Sequence, residues 1–65
     1  MRLTINGEER EVQASDLAGI VRELGLDPKK VAVEHNLQIV PRSQHPVTLV
    51  LEGDRLEMVQ FVGGG

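Results

Sequence analysis

The sequence contains no cysteine, no tryptophan and no tyrosine, and Phe61 is its one phenylalanine. Without cysteine the chain cannot form a disulfide or use a catalytic thiol, and a zinc site would lack its favoured soft ligand. A single phenylalanine provides no platform on which nucleic-acid bases could stack. The formal net charge of −3 also disfavours binding to a polyanion, so we expect no nucleic-acid partner.

Long hydrophobic runs are absent as well. The first residues lack the apolar core of a signal peptide, and no later stretch is long enough to cross a bilayer. We therefore expect a cytoplasmic protein with no membrane partner. A chain of 65 residues has room for one small hydrophobic core, which predicts a single domain.

The first third of the chain carries clear local signals. Leu3 and Ile5 alternate with polar residues, as in a half-buried strand, and Asn6-Gly7 favours a tight hairpin turn. We expect Val12 to belong to the returning strand. The apolar spacing from Leu17 to Leu24 predicts an amphipathic helix over 15–24, with Ser15 as its N-cap and Gly25 just past its C-terminus.

Further strands follow the helix. We expect strands at 31–33, at 39–40 and over 55–62, whereas 47–51 reads equally well as a strand or a buried crossover. Strands on both sides of one helix predict an α+β domain with a mixed sheet packed on that helix. The expected core consists of Leu3, Ile5, Val12, Leu17, Ile20, Val21, Leu24, Val31, Val33, Ile39, Leu56 and Met58.

The printed sequence finishes with Gly63-Gly64-Gly65. Glycines lose much backbone entropy on ordering, so we expect residues 63–65 to be a flexible tail after a domain of residues 1–62. Lacking side chains, such a tail can enter a narrow channel and deliver the α-carboxylate of Gly65. Taken alone, the tail could equally be a cloning remnant or an untidy end.

The rest of the chain favours the chemical interpretation. Residues 31–43, VAVEHNLQIVPRS, resemble the central motif of the ThiS family, the sulfur carriers of thiamine biosynthesis. Gly53-Asp54, a strand and then Val62-Gly63-Gly64-Gly65 resemble the ending of that family. Leu37 and His45 depart from the family pattern, which has glycine and an aromatic residue there. The resemblance implies a ubiquitin-like β-grasp fold.

The resemblance also implies a mechanism. An E1-like adenylyltransferase (ThiF type) would adenylate Gly65 with ATP, and a sulfur donor supplied by a cysteine desulfurase would convert it to a thiocarboxylate. A thiazole synthase (ThiG type) would take the sulfur. The chain would then be a protein co-substrate rather than an enzyme, with ATP and Mg²⁺ bound by its partner. The small subunit of molybdopterin synthase and a ubiquitin-like protein modifier are the alternatives.

Partner docking is expected on the last strand. If Leu56 and Met58 face the core, Glu57, Val59 and Phe61 lie on the outward face, close to the tail. Aromatic residues are enriched at interface hot spots, so we expect these three residues to bind a partner enzyme. The two histidines have no evident nucleophile or metal-binding partner in the sequence, and we expect both to be solvated surface residues and no metal site.

Overall fold

The computed structural model describes residues 1–62. Within that range the chain forms a sheet of five strands, one α-helix and a 3-10 helix. The α-helix α1 spans Leu17–Glu23 and the 3-10 helix spans Arg42–Val47. The strands are β1 (Arg2–Ile5), β2 (Glu8–Glu11), β3 (Val31–His35), β4 (Gln38–Val40) and β5 (Arg55–Gln60).

The sheet is mixed, with the order β2-β1-β5-β3-β4. The two hairpins, β1–β2 and β3–β4, are antiparallel, and β5 joins them by pairing parallel to β1 and antiparallel to β3. Both hairpin turns have two consecutive residues at positive φ, as a type I′ turn requires. The predicted α+β class with a mixed sheet is confirmed.

The N-cap of α1 lies one residue after the predicted one. Asp16 is the N-cap, since its backbone is extended and its Oδ1 accepts a hydrogen bond from the Gly19 N–H at 2.7 Å. Ser15 instead accepts a hydrogen bond at its carbonyl from the Val50 N–H, at 2.9 Å. The prediction of Ser15 as the cap is therefore wrong, because a long-range backbone contact holds Ser15 outside the helix.

The C-terminus of α1 is capped as the sequence predicts. Gly25 has a φ of 77°, and its N–H donates to the Arg22 carbonyl at 3.0 Å. The Leu26 N–H donates to the Val21 carbonyl, also at 3.0 Å. These two bonds define a Schellman motif, which satisfies helix carbonyls that would otherwise be unpaired.

The core lies between α1 and one face of the sheet. Most predicted core residues are buried, although Leu24 is only half-buried. The prediction that Ile39 belongs to the core is wrong, because its side chain is 78% exposed. Ile39 is paired with Glu34, while the next residue, Val40, is paired with Val33 on the core side. Alternation along β4 therefore places Ile39 on the open face of the sheet.

The segment after the 3-10 helix is a crossover and not a sheet strand. It contacts the start of α1 through an isolated bridge between Asp16 and Leu49, and Val50 beside that bridge is buried in the core. His45 in the 3-10 helix is buried too, at 3% exposure. Its Nε2 donates a hydrogen bond of 3.0 Å to the Val40 carbonyl oxygen. The prediction that His45 is a solvated surface residue is wrong.

Candidate functional site

The predicted site has two parts, the glycine tail and the outward face of β5. Gly63, Gly64 and Gly65 lie outside the described residues, so the reactive role of Gly65 and the domain boundary after residue 62 stay predictions. The structure does describe the strand that leads to the tail. Neither helix in residues 1–62 has the length and apolar character needed to span a bilayer.

Strand β5 divides its side chains between the two faces of the sheet. Leu56 and Met58 are buried against the helix, at 0% and 6% exposure. Glu57, Val59 and Phe61 lie on the opposite, open face, where Val59 is 59% and Phe61 60% exposed. The three residues predicted to contact a partner are therefore accessible, and their role in binding stays a prediction.

Neighbouring strands extend this apolar surface. Ala32 on β3 lies directly opposite Val59, and Ile39 on β4 lies on the same face. A shallow depression runs between these strands, lined by Ala32, Val33, Glu34, Ile39, Glu57 and Val59. We define the open-face patch as Ala32, Ile39, Val59 and Phe61. Sequence reasoning missed Ile39 because β4, with three residues, is too short to show which of its faces is buried. It missed Ala32 because Val31-Ala32-Val33 is a continuous apolar run, which is typical of a strand buried on both faces.

Two carboxylates interrupt the patch. Glu34 on β3 and Glu57 on β5 are direct cross-strand partners. Within residues 1–62 neither has a Lys, Arg or His nitrogen within 4.0 Å. Like charges in directly opposite positions destabilise a sheet. The patch thus combines exposed apolar side chains with a concentrated negative charge.

The exit of β5 towards the tail is held in place by the loop after α1. The Phe61 N–H donates to the Lys30 carbonyl at 2.7 Å. One residue earlier, the Gln60 side-chain carbonyl accepts a hydrogen bond from the Asp27 N–H at 3.1 Å. These contacts fix the end of β5 and the backbone of Phe61, whose side chain is 60% exposed.

A second polar cluster lies at the other end of β5. His35 Nε2 is 2.7 Å from Asp54 Oδ2, which also accepts the Leu51 N–H at 2.9 Å. Burial by itself raises the pKa of Asp54, but the hydrogen bonds from His35 and Leu51 outweigh that effect and the pKa is lowered. The prediction that His35 is a solvated surface residue is wrong, since it ties β3 to the turn before β5.

The second cluster is centred on one histidine and one carboxylate. In the described part of the chain, no three His, Asp or Glu side chains come together as metal ligands would. Asp54 precedes the first residue of β5 and Phe61 follows the last, so the length of the strand separates the histidine pair from Phe61. We assign the pair to the stability of the fold.

Comparison with known proteins agrees with this geometry. The model of the ThiS family matches residues 3–65. This chain belongs to the ThiS family. The crystal structure of a thiamine biosynthesis protein (ThiS) from Geobacter metallireducens superposes on it with a TM-score of 0.84 and 30% identity, covering 100% of both chains. An NMR structure of a thiamine biosynthesis protein from the same organism superposes with a TM-score of 0.81 and 30% identity, covering 100% of this chain and 88% of that one. The predicted β-grasp fold is confirmed.

The curated relatives are longer proteins. A thiazole synthase from Paramagnetospirillum magneticum is 53% identical over 66 residues, which cover 100% of this ThiS chain and 20% of the relative. A thiazole synthase from Magnetococcus marinus is 39% identical, with the same coverage of 100% and 20%. The chain therefore spans about one fifth of the length of the curated relatives it matches.

Proposed function

We propose that this ThiS-family protein is a sulfur carrier in thiamine biosynthesis and that its reactive group is the α-carboxylate of Gly65. The observation that carries the proposal is the family match, which extends through the glycines to residue 65. The likeness to two ThiS structures supports it. A carboxylate has a pKa near 3.3–3.7 at a chain end, so it is ionised at neutral pH.

The chemistry needs partners, because a carboxylate is a poor acyl donor until it is activated. A carboxylate oxygen of Gly65 attacks the α-phosphorus of ATP, which releases pyrophosphate and forms an acyl-adenylate. A persulfide sulfur then displaces AMP, and a thiol cleaves the remaining sulfur–sulfur bond to leave the thiocarboxylate. On this proposal the carrier is a co-substrate, and its adenylating partner binds ATP and Mg²⁺.

Three partners follow from this sequence of steps. An E1-like adenylyltransferase of the ThiF type activates the carboxylate, a cysteine desulfurase supplies the persulfide, and a thiazole synthase of the ThiG type receives the sulfur. The two relatives named thiazole synthase support the last partner, because each contains a region similar to this whole chain. We place all of these steps in the cytoplasm.

The open face of β5 is the proposed docking surface. Val59 and Phe61 are exposed apolar side chains two positions apart, and in the sequence only Val62 separates Phe61 from the glycines. Interface hot spots are enriched in aromatic residues, and their truncation costs about 2 kcal/mol or more. Phe61→Ala should therefore weaken binding of a partner enzyme about thirtyfold while leaving the melting temperature of the free carrier nearly unchanged. Unchanged affinity in this variant would remove Phe61 from the interface.

The decisive experiment is intact-protein mass spectrometry after incubation with the adenylyltransferase, ATP and a persulfide donor. We expect the mass of one oxygen-to-sulfur exchange, located at Gly65. A variant without Gly65 should not gain it, and its melting temperature serves as the control for folding. Thiolation of that variant would contradict the proposal. A lysine-linked product on another protein would instead identify a ubiquitin-like modifier.

A further inference from the structure

We propose that Glu34 and Glu57, with the apolar side chains beside them, form a binding site for an arginine side chain of the thiazole synthase. We call this site the acidic socket and define it by Glu34, Glu57, Ala32, Ile39 and Val59. The inference rests on the proposed function, which supplies the partner.

The two carboxylates share one spot on the open face. Glu34 and Glu57 are directly opposite in the antiparallel ladder between β3 and β5, so their Cβ atoms lie about 4.5–5.5 Å apart. The depression lined by both residues is otherwise walled by apolar side chains. A ligand that enters it therefore meets two negative charges side by side and hydrocarbon around them.

Within residues 1–62, no cationic side chain forms an ion pair with Glu34 or Glu57. In the described residues, the ion pairs of 4.0 Å or less use His35 with Asp54, and the N-terminus and Arg2 with Glu11. No hydrogen bond within residues 1–62 ends on the carboxylate of Glu34 or Glu57. The pair thus lowers the stability of the free carrier and keeps all its acceptor capacity for an external cation.

Arginine fits both features of the socket. Its guanidinium is planar and carries five N–H donors, enough to bridge two carboxylates, and its aliphatic stem packs on apolar surface. Ile39, opposite Glu34 on β4, and Val59, two residues after Glu57 on β5, provide such a surface at 78% and 59% exposure. A divalent metal ion fits less well, because it requires more ligands than these two side chains supply.

The thiazole synthase is the partner that the relatives favour. In both of them a region similar to this chain is part of one polypeptide named thiazole synthase, so a carrier-like segment is covalently linked to the rest of that enzyme. The socket is also continuous with Val59 and Phe61, next to the residues that lead into the tail. A carrier of net charge −3 complements a basic docking surface on an enzyme.

The test compares Glu34→Gln, Glu57→Gln and the double variant with wild type. Glu9→Gln is the matched control. Glu9 is exposed on the same face of the sheet, but it lies opposite Thr4 and on β2, the edge strand away from β3 and β4. Calorimetry measures the Kd for the thiazole synthase of the source organism, and a thermal melt measures stability. Each socket variant should weaken binding at least about tenfold and raise the melting temperature by about 1–4 °C. The control should change neither.

Arginine is identified by a double-mutant cycle. Surface arginines of the enzyme are replaced one at a time by glutamine and tested against wild-type carrier and Glu57→Gln. One arginine should lose its contribution to affinity when Glu57 is already neutral. The absence of any coupled arginine would overturn the proposal.

Other outcomes are equally decisive. Unchanged Kd in the double variant, or no binding of the wild-type carrier to the thiazole synthase, refutes the socket. A loss of affinity for the adenylyltransferase alone refutes the choice of partner. The proposed function fails separately, when Gly65 of the wild type does not become a thiocarboxylate in the mass measurement.

Discussion

Replacing Leu37 with glycine should stabilise this protein. Leu37 has a φ of 74° and its side chain is 76% exposed, so the β3–β4 turn holds a bulky residue in the left-handed region without burying it. That conformation costs a non-glycine residue about 1–2 kcal/mol. Glycine removes the cost but loses about 0.5–1 kcal/mol more backbone entropy on folding. The net gain is about 0.5–1 kcal/mol, or about 2–8 °C in melting temperature for a domain of this size.

Two control variants separate backbone strain from other effects. Leu37→Ala removes the exposed side chain but keeps the Cβ that causes the strain, so it should leave the melting temperature nearly unchanged. Asn36→Gly changes the neighbouring residue, which also has positive φ but whose Oδ1 accepts the Arg55 N–H at 2.9 Å. Losing that hydrogen bond should lower the melting temperature.

Thermal melts followed by circular dichroism measure all three variants under the same conditions. If Leu37→Ala gains as much as Leu37→Gly, removal of the exposed leucine explains the effect and the strain argument fails. A melting temperature that falls in Leu37→Gly would refute the argument directly.

Further changes test the helix cap, the half-buried carboxylate of Asp54 and the core. Asp16→Ala removes the cap on the Gly19 N–H and should cost about 1 kcal/mol, seen as a lower midpoint of urea unfolding. The pKa of Asp54 is lowered from 3.8, so its stabilising effect is present above that pH and is lost as the pH falls below it; melting temperature should decline less on acidification in Asp54→Asn. Ile20→Ala, fully buried, should cost about 2–5 kcal/mol, and half-buried Leu24→Ala should cost less.

Short-range signals in the sequence were sufficient for the first hairpin and for the end of the helix. The Asn6-Gly7 turn and the Gly25 cap depend on φ values that few residues adopt, so the residue types alone locate them. The stripe from Leu17 to Val21 is buried as its spacing predicts. The alternation of β5 likewise divides its side chains correctly between core and open face, because a strand of six residues repeats its pattern three times.

Other features depend on contacts between residues far apart in the sequence, and only the tertiary structure reveals them. Asp16 and not Ser15 is the N-cap, because the Ser15 carbonyl accepts a hydrogen bond from the distant Val50 N–H. Pairing with β3 places Ile39 on the open face of the sheet. The sequence of a three-residue strand is too short to show which of its faces is buried. His45 is buried because the 3-10 helix that contains it packs against α1, and its Nε2 hydrogen-bonds to the Val40 carbonyl.

The acidic socket belongs to this second group. Glu34 and Glu57 are far apart in the sequence, and only the register between β3 and β5 places them side by side. Caps and turns are determined by the conformations open to a few consecutive residues. Burial and side-chain proximity are determined by strand register and crossover, which bring together residues that share no local signal.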